Sequence, residues 1–255
     1  MNPFKIIRDY RRLFDNPFST MAQILLKEFP VLLKLKKSFF DTEVFFIMKS
    51  TSTMDLPAIF IRKDYDFLEV LNKKVIDIGA AAGDTSVYFA LRGALKVFAY
   101  EPYPWMFELA KLNVKINNLD DKVMLYNMGL GRTDGNVTIK GDEVTNTGTS
   151  LDYGINKGKD EIPIVSLRSI IERHEISNGV LKVDCEGCEY ETILHTDSTT
   201  LRNFSQIEIE FHNGFSDLKE KLESAGFSVH LKMDEGKFNH NIESKLGYIY
   251  CTKIE

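Results

Sequence analysis

The sequence predicts an α/β fold: a doubly wound, mostly parallel sheet preceded by an N-terminal helical extension. Three observations predict it. From residue 74 onward, short apolar runs of strand length alternate with helical patterns, which implies repeated βα units. The run "KVIDIGA" at 74–80 is almost continuously apolar, as a strand covered on both faces must be. Gly79 and Gly83 then follow, and a helical pattern opens behind them, the layout of a turn that lets backbone approach a ligand closely.

The 255 residues suffice for one large domain or a domain with an extension. With 44% hydrophobic and 27% charged residues the chain is an ordinary globular one, able to bury a core without disulfides or structural metals. Residues 1–50 hold nine Lys/Arg against five Asp/Glu, leaving 23 basic and 32 acidic residues for the remainder. An acidic body argues against DNA, whose phosphates need Lys/Arg to displace counterions. The basic N-terminal segment could still meet an anionic partner or a membrane surface. Three cysteines fit a reducing compartment better than a secreted disulfide scaffold. Lys5, Arg8, Asp9, Arg11 and Arg12 interrupt any signal-peptide core, and no window is apolar enough for a transmembrane helix. The expected location is cytoplasmic.

In chain order, residues 1–42 read as a helical extension and 43–255 as the main domain. Ile6, Ile7, Tyr10, Leu13 and Phe14 share one helical face, and Leu32, Leu33, Leu35, Phe39 and Phe40 continue an apolar pattern after Pro30. The extension is expected to pack on the domain, to mediate a homodimer, or to serve as a lid or membrane-surface helix. Residues 44–48 and 58–62 read as strands of a hairpin. Strand 74–80 leads to a helix at 84–92 that Asp84 could cap, then a strand at 96–102. Trp105, Leu109, Leu112 and Ile116 mark a helix, and 122–130 a third strand. "GNVTI" and "IPIVSL" look like strands on either side of a polar loop, of a length usually tied to function. A helix near 167–175, a strand at 179–187, a helix near 189–195, a strand at 205–214, a helix near 216–224 and strands near 227–232 and 247–253 complete the alternation.

The first glycine turn reads G-x-x-x-G, not the G-x-G-x-x-G that a dinucleotide pyrophosphate requires. Asp77 stands two residues before Gly79, where a carboxylate would repel pyrophosphate and attract an amino-acid ammonium. S-adenosylmethionine carries that ammonium and no phosphate. Glu101 ends the second strand, placed to accept hydrogen bonds from both ribose hydroxyls of a nucleoside.

"VIDIGAAAGDTS", "VFAYEP", "NMGLG" and "LKVDCEGCEYE" occur in that order. Together they resemble the FkbM-type family of S-adenosylmethionine-dependent methyltransferases over roughly residues 55–215. The resemblance implies a seven-stranded, Rossmann-like class I methyltransferase sheet. The usual form of the first motif is D-x-G-A-N-x-G, and this chain has Ala81 where Asn is common. Asp184, Glu186, Gly187 and Glu189 fit the fourth, D-x-E-G-x-E. By resemblance, Asp77, Gly79, Ala80, Ala81, Gly83 and Thr85 line the methionine portion, Glu101 and Pro102 hold the ribose, Asn127, Met128 and Gly129 flank the adenine, and Asp184 and Cys185 border the sulfonium.

Methyl transfer needs a nucleophile aligned with the S–CH3 bond, water removed and, for a hydroxyl, a general base. Candidates cluster at two strand ends: Asp184, Glu186 and Glu189, and Glu210 with His212. His212 is the first choice of base because its unperturbed pKa lies near neutrality, with Asp184 and Glu186 beside it. The same carboxylates could hold Mg2+ to orient and acidify a hydroxyl, although no spacing demands a metal. The pair Cys185-x-x-Cys188 also admits a zinc or redox reading. The expected reaction is O-methylation of a sugar, glycan, lipid-linked or other small-molecule acceptor. The alternatives are an RNA or protein methyltransferase using the basic extension, and a methyltransferase-like binding module acting through partners.

Overall fold

The computed structural model describes residues 3–25, 31–48, 55–139, 160–233 and 246–254. The chain begins with helices α1 (Pro3–Leu13) and α2 (Pro17–Leu25), followed by strands β1 (Val31–Lys34) and β2 (Phe45–Met48) and a helical turn α3 (Asp55–Pro57). Alternation then sets in with β3 (Lys74–Ile78), α4 (Asp84–Leu91), β4 (Lys96–Tyr100), α5 (Pro104–Ile116) and β5 (Val123–Tyr126). Three short strands follow, β6 (Gly129–Gly131), β7 (Gly135–Ile139) and β8 (Asp160–Ser166). The chain ends with α6 (Leu167–His174), β9 (Gly179–Val183), α7 (Cys188–Ile193), α8 (Ser198–Leu201), β10 (Phe204–Phe211), α9 (Ser216–Ser224), β11 (Phe227–Met233) and β12 (Gly247–Lys253).

The central sheet has seven strands in the order β11-β12-β10-β9-β3-β4-β5. β3, β4, β5, β9 and β10 pair in parallel, and β12 runs antiparallel between β10 and β11. Its two faces bury different cores. Val75, Val97 and Val180 pack under α4, α5 and the N-terminal segments, while Ile76, Leu181, Ile207 and Ile209 pack under α6, α7 and α9. Successive strand residues point to opposite faces, so β10 sends Ile207, Ile209 and Phe211 one way and Gln206, Glu208 and Glu210 the other.

Five expectations change. Residues 31–34 are a strand, not a continuation of helix. Val31 and Leu33 are buried and Leu32 is 56% exposed, a period of two, and the run pairs antiparallel with Phe45–Met48. The apolar run was short enough to satisfy either period, and a partner strand decides. The hairpin straddles the expected boundary at residues 42 and 43, and Tyr10, Leu13, Phe14 and Leu35 share one core with Val75 and Val87. Residues Ala58–Arg62, read as a strand, form a π-helical turn that buries the adjacent Ile59 and Phe60. The expected strand 122–130 breaks at 127–128, where the Asn127 side chain donates to the carbonyls of Glu101 and Pro102 at 2.9 Å each. Gly83, left-handed at φ 78°, caps α4 in place of Asp84, which is the first helical residue. The polar loop at 140–159 lies outside the described residues. Among the described residues no helix is long and apolar enough to cross a membrane.

Candidate active site

A cavity of about 250 Å3 opens at the carboxyl ends of β3, β4 and β9. Ligands bind at such strand ends in open α/β sheets. Gly79 and Ala81 form its floor, Glu101, Pro102 and Tyr103 one side, and Met106, Met128, Gly129 and Leu130 an apolar wall. Asp184, Cys185, Glu186 and Cys188 form the far side, with Asp55 and Glu210. Gly79 is obligatory for a local reason: a Cβ there would lie 1.7 Å from the Asp184 carbonyl oxygen. Ala81 takes φ 46°, unusual for a residue with a Cβ, and aims its N–H at Glu101.

Glu101 is 4% exposed. Oε2 accepts the Ala81 N–H at 2.8 Å and Oε1 the Tyr103 N–H at 2.9 Å. Each oxygen keeps acceptor capacity toward the cavity. Burial lifts the Glu101 pKa to about 7, only partly offset by the two N–H donors.

Asp77 is enclosed and is not among the residues that line the cavity. Its Oδ2 accepts the hydroxyls of Thr85 at 2.7 Å and Ser86 at 2.6 Å, and its Oδ1 stands 3.1 Å from Lys182 Nζ. Both side chains are enclosed. Lys182 also donates to the carbonyls of Ile78 at 3.2 Å and Gly79 at 2.8 Å. Burial pushes the ammonium pKa down, but the charges of Asp77 and Asp184 outweigh it and hold the pKa above the usual lysine range. The strand register produces the pair by setting Asp77 opposite Lys182 on β9, with Glu208 of β10 next in the row.

At the tips of β9 and β10, Asp184 Oδ2 accepts the Tyr65 hydroxyl at 3.3 Å. His212 sits between two carboxylates, Nδ1 at 3.0 Å from Glu189 and Nε2 at 3.3 Å from Glu186. Burial lowers the imidazole pKa, but the Glu189 hydrogen bond and the charges of Glu189, Glu186 and Asp184 raise it to about 9. At neutral pH the ring is therefore an imidazolium with both nitrogens engaged. This corrects the reason for which His212 was expected to be the base. Burial and the Asp184 charge push Glu210 up to about 8. Cys185 and Cys188 are joined by a disulfide, although the cysteine count suggested free thiols, and Cys251 is free and buried.

Of the expected cofactor residues, Gly79, Ala81, Glu101, Pro102, Met128, Gly129, Asp184 and Cys185 come together on the cavity wall, with Glu186 of the expected catalytic group. Asp77, Ala80, Gly83, Thr85, Asn127 and His212 stand behind it. Asp77 and Thr85 are occupied by the Lys182 cluster, Asn127 holds the Glu101–Pro102 backbone, and Gly83 packs against Ala110. Sequence reasoning missed Lys182, Tyr65 and Asp55. Only Lys182 left a signal, a lone charge inside the buried run "GVLKV".

A seven-stranded sheet with one antiparallel strand second from its edge, and an acid at the tip of the strand beside the glycine turn, is the fold of a class I methyltransferase. A family model described as the methyltransferase FkbM domain matches residues 77–229, and the chain belongs to that family. The crystal structure of Methyltransferase FkbM from Methylobacillus flagellatus KT is similar, with a TM-score of 0.51 and 12% identity over 79% of this chain. This chain spans only 54% of that protein's length. SMU.776, solved in complex with SAH, gives a TM-score of 0.50 and 11% identity over 87% of this chain and 55% of its own. No curated protein matches the sequence.

Proposed function

We propose that the protein transfers the methyl group of S-adenosylmethionine to a hydroxyl of a sugar, glycan, lipid-linked or other small-molecule acceptor. One observation carries the cofactor reading: the described cavity wall presents five carboxylates, Asp55, Glu101, Asp184, Glu186 and Glu210, and no Lys or Arg. Such a wall offers no cation to a pyrophosphate, and a ligand that carries a sulfonium and an ammonium favours the ionised form of acids whose pKa burial has raised, Asp55, Glu101 and Glu210 among them. The residues also fit the rest of that ligand. The two oxygens of Glu101 offer paired acceptors for a vicinal diol, and Met106, Met128 and Leu130 offer an apolar face for a base. SAH in the related structure of SMU.776 agrees with this reading.

S-adenosylmethionine supplies an electrophilic methyl carbon on a good leaving group. The chain's own task is then to bind, align, exclude water and take a proton. Glu210 is the better base in this arrangement. It lines the cavity, whereas His212 stands behind it holding Glu186 and Glu189. A carboxylate with a pKa near 8 is basic enough to accept a hydroxyl proton, and a neighbouring positive charge favours its ionised form. Glu210→Gln should lower kcat by about 10²–10⁴, a far larger loss than any it causes in cofactor affinity, since four other acids remain in the wall. A larger loss in His212→Ala than in Glu210→Gln would return the base role to the imidazole.

A second reading has its own observation: ligand atoms of Asp184, Glu186 and His212 lie within 4.8 Å of one another, a geometry open to a hard cation such as Mg2+ if the cation displaces the imidazolium proton. Activity lost in EDTA and restored by Mg2+ would favour it. The overall proposal is tested by calorimetry with S-adenosylhomocysteine and NAD, then by tritiated methyl donor on fractionated extract. Binding of NAD alone would overturn it. Label in RNA or protein would shift the acceptor to those classes, for which Arg8, Arg11 and Arg12 of α1 are exposed.

A further inference from the structure

We propose that Cys185 and Cys188 form a thiol–disulfide exchange site in the wall of the cofactor cavity, reachable by a small thiol only while the cavity is empty. The proposal rests on the cofactor reading above, because the same space must hold either the ligand or the incoming reductant.

Three observations converge. The two sulfurs are bonded, and both residues line the cavity. The two ends of the bridge differ in access, since Cys188 is 2% exposed at the start of α7 while Cys185 is only partly buried. The bridge also closes a four-residue ring around the groups nearest the proposed transfer point. Asp184 precedes it, and Glu186 (φ 56°) and Gly187 (φ 119°) lie inside it in left-handed backbone. Glu189 Oε2 lies 3.5 Å from Cys185 Sγ and accepts the Gly187 N–H at 2.9 Å, while Glu189 Oε1 holds His212. The third cysteine, Cys251, is fully buried on β12, so the exchange involves this pair alone.

The exposed side fixes the course of the reaction. The thiolate of a small thiol attacks Cys185 Sγ, the S–S bond breaks, and Cys188 leaves as a thiolate that takes up a proton. A second thiol attacks the reductant's sulfur in the mixed disulfide and releases Cys185. The balance is one protein disulfide and two thiols giving two protein thiols and one small-molecule disulfide, with two electrons passing to the protein. The reduced sulfurs can no longer sit at bonding distance. Cys188 is enclosed, so Cys185 must yield, and it yields into the cavity. The reduced protein should therefore bind S-adenosylhomocysteine about tenfold more weakly, the size of an ordinary overpacking effect.

The test uses full-length protein prepared without reductant. Dithiothreitol is added, samples are quenched with N-ethylmaleimide at timed intervals, and labelled cysteines are located by mass spectrometry. Cys185 and Cys188 should be unlabelled before dithiothreitol and labelled after it. At a hundredfold excess of S-adenosylhomocysteine over Kd the reduction should slow by about a hundredfold, since only the free form reacts. Calorimetry on the two redox forms reads the affinity change. Cys188→Ser should match the reduced wild type and show no response to dithiothreitol. Labelling of Cys185 without reductant overturns the bridge. Equal reduction rates with the ligand demonstrably bound overturn the shielding, and equal affinities of the two forms overturn the intrusion of Cys185. If S-adenosylhomocysteine binds neither form, the cofactor reading fails and takes the shielding with it, while the labelling pattern still decides the bridge.

Discussion

Asp77 and Glu101 end neighbouring parallel strands, are 0% and 4% exposed, and were both read as cofactor ligands. Their surroundings differ. Asp77 has a cation, Lys182, and two hydroxyl donors, and is not among the residues that line the cavity. Glu101 has two backbone N–H donors, no cation in contact among the described residues, and a place on the cavity wall. An acid that already has its counterion within the fold holds the fold together. An acid left partly unsatisfied beside a cavity has capacity for a ligand.

The largest expected effect lies on the structural side. Asp77→Asn removes the charge that compensates an enclosed Lys182, and breaking a buried pair from one side costs about 3–5 kcal/mol. Urea unfolding should show that loss, while the folded fraction should keep its affinity for S-adenosylhomocysteine. If Asp77→Asn unfolds like wild type and loses the ligand, the carboxylate reaches the ligand and the contrast collapses.

On the binding side the expected effect is a pH dependence of opposite origin. The Glu101 pKa rises from 4.5 to about 7 on folding. The folded state thus holds a proton that the unfolded state has lost. The stabilisation is fully present below pH 4.5 and disappears as pH rises through 7, a span worth roughly 3 kcal/mol. The stability curve of Glu101→Gln should be flatter than wild type over that window. Ribose donors favour the ionised carboxylate, so ligand affinity in the wild type should improve as pH passes 7. Glu101→Ala should weaken S-adenosylhomocysteine binding by about 1.5–3 kcal/mol, the worth of charge-assisted hydrogen bonds. An unchanged Kd would remove Glu101 from the ribose role.

The same contrast shows what could be read from the chain alone. The strands of the main sheet were legible because β3, β4, β9 and β10 are short apolar runs set between helical patterns, and a parallel sheet covered on both faces imposes that pattern. Glu101 and Asp184 were legible as residues lining the cavity because they stand at the carboxyl ends of such strands. The partner of Asp77 was not, since Lys182 lies 105 positions away and meets it only through the register of β3 against β9. Nor could the pKa of His212 be read, because Glu186 and Glu189 reach it from another strand end. Val31–Lys34 failed for a different reason. Four residues carry too little periodicity to choose between helix and strand, and the antiparallel contact with Phe45–Met48 makes the choice.

The smallest expected effect is the sharpest divider between the two acids. Thr85 was expected among the residues around the methionine portion, but its hydroxyl points at Asp77 Oδ2, 2.7 Å away, and the residue is 4% exposed. Thr85→Val preserves shape and removes that single donor. Asp77 would keep the Ser86 hydroxyl at 2.6 Å and the Lys182 ammonium at 3.1 Å, so the carboxylate is not stranded. The expected cost is about 1.5–3 kcal/mol of stability, as for a hydrogen bond to a charged group, and toward the low end because two partners remain. Cofactor affinity should not change, since Thr85 is absent from the cavity wall and α4 retains its start at Gly83. Paired urea unfolding and calorimetry on Thr85→Val and Glu101→Ala check this directly. The first should lose stability and keep affinity, and the second should lose affinity out of proportion to stability. A Thr85→Val variant with wild-type unfolding and a tenfold weaker Kd would mean that the hydroxyl turns from Asp77 to the ligand, and the glycine turn would then bind through side chains as well as backbone.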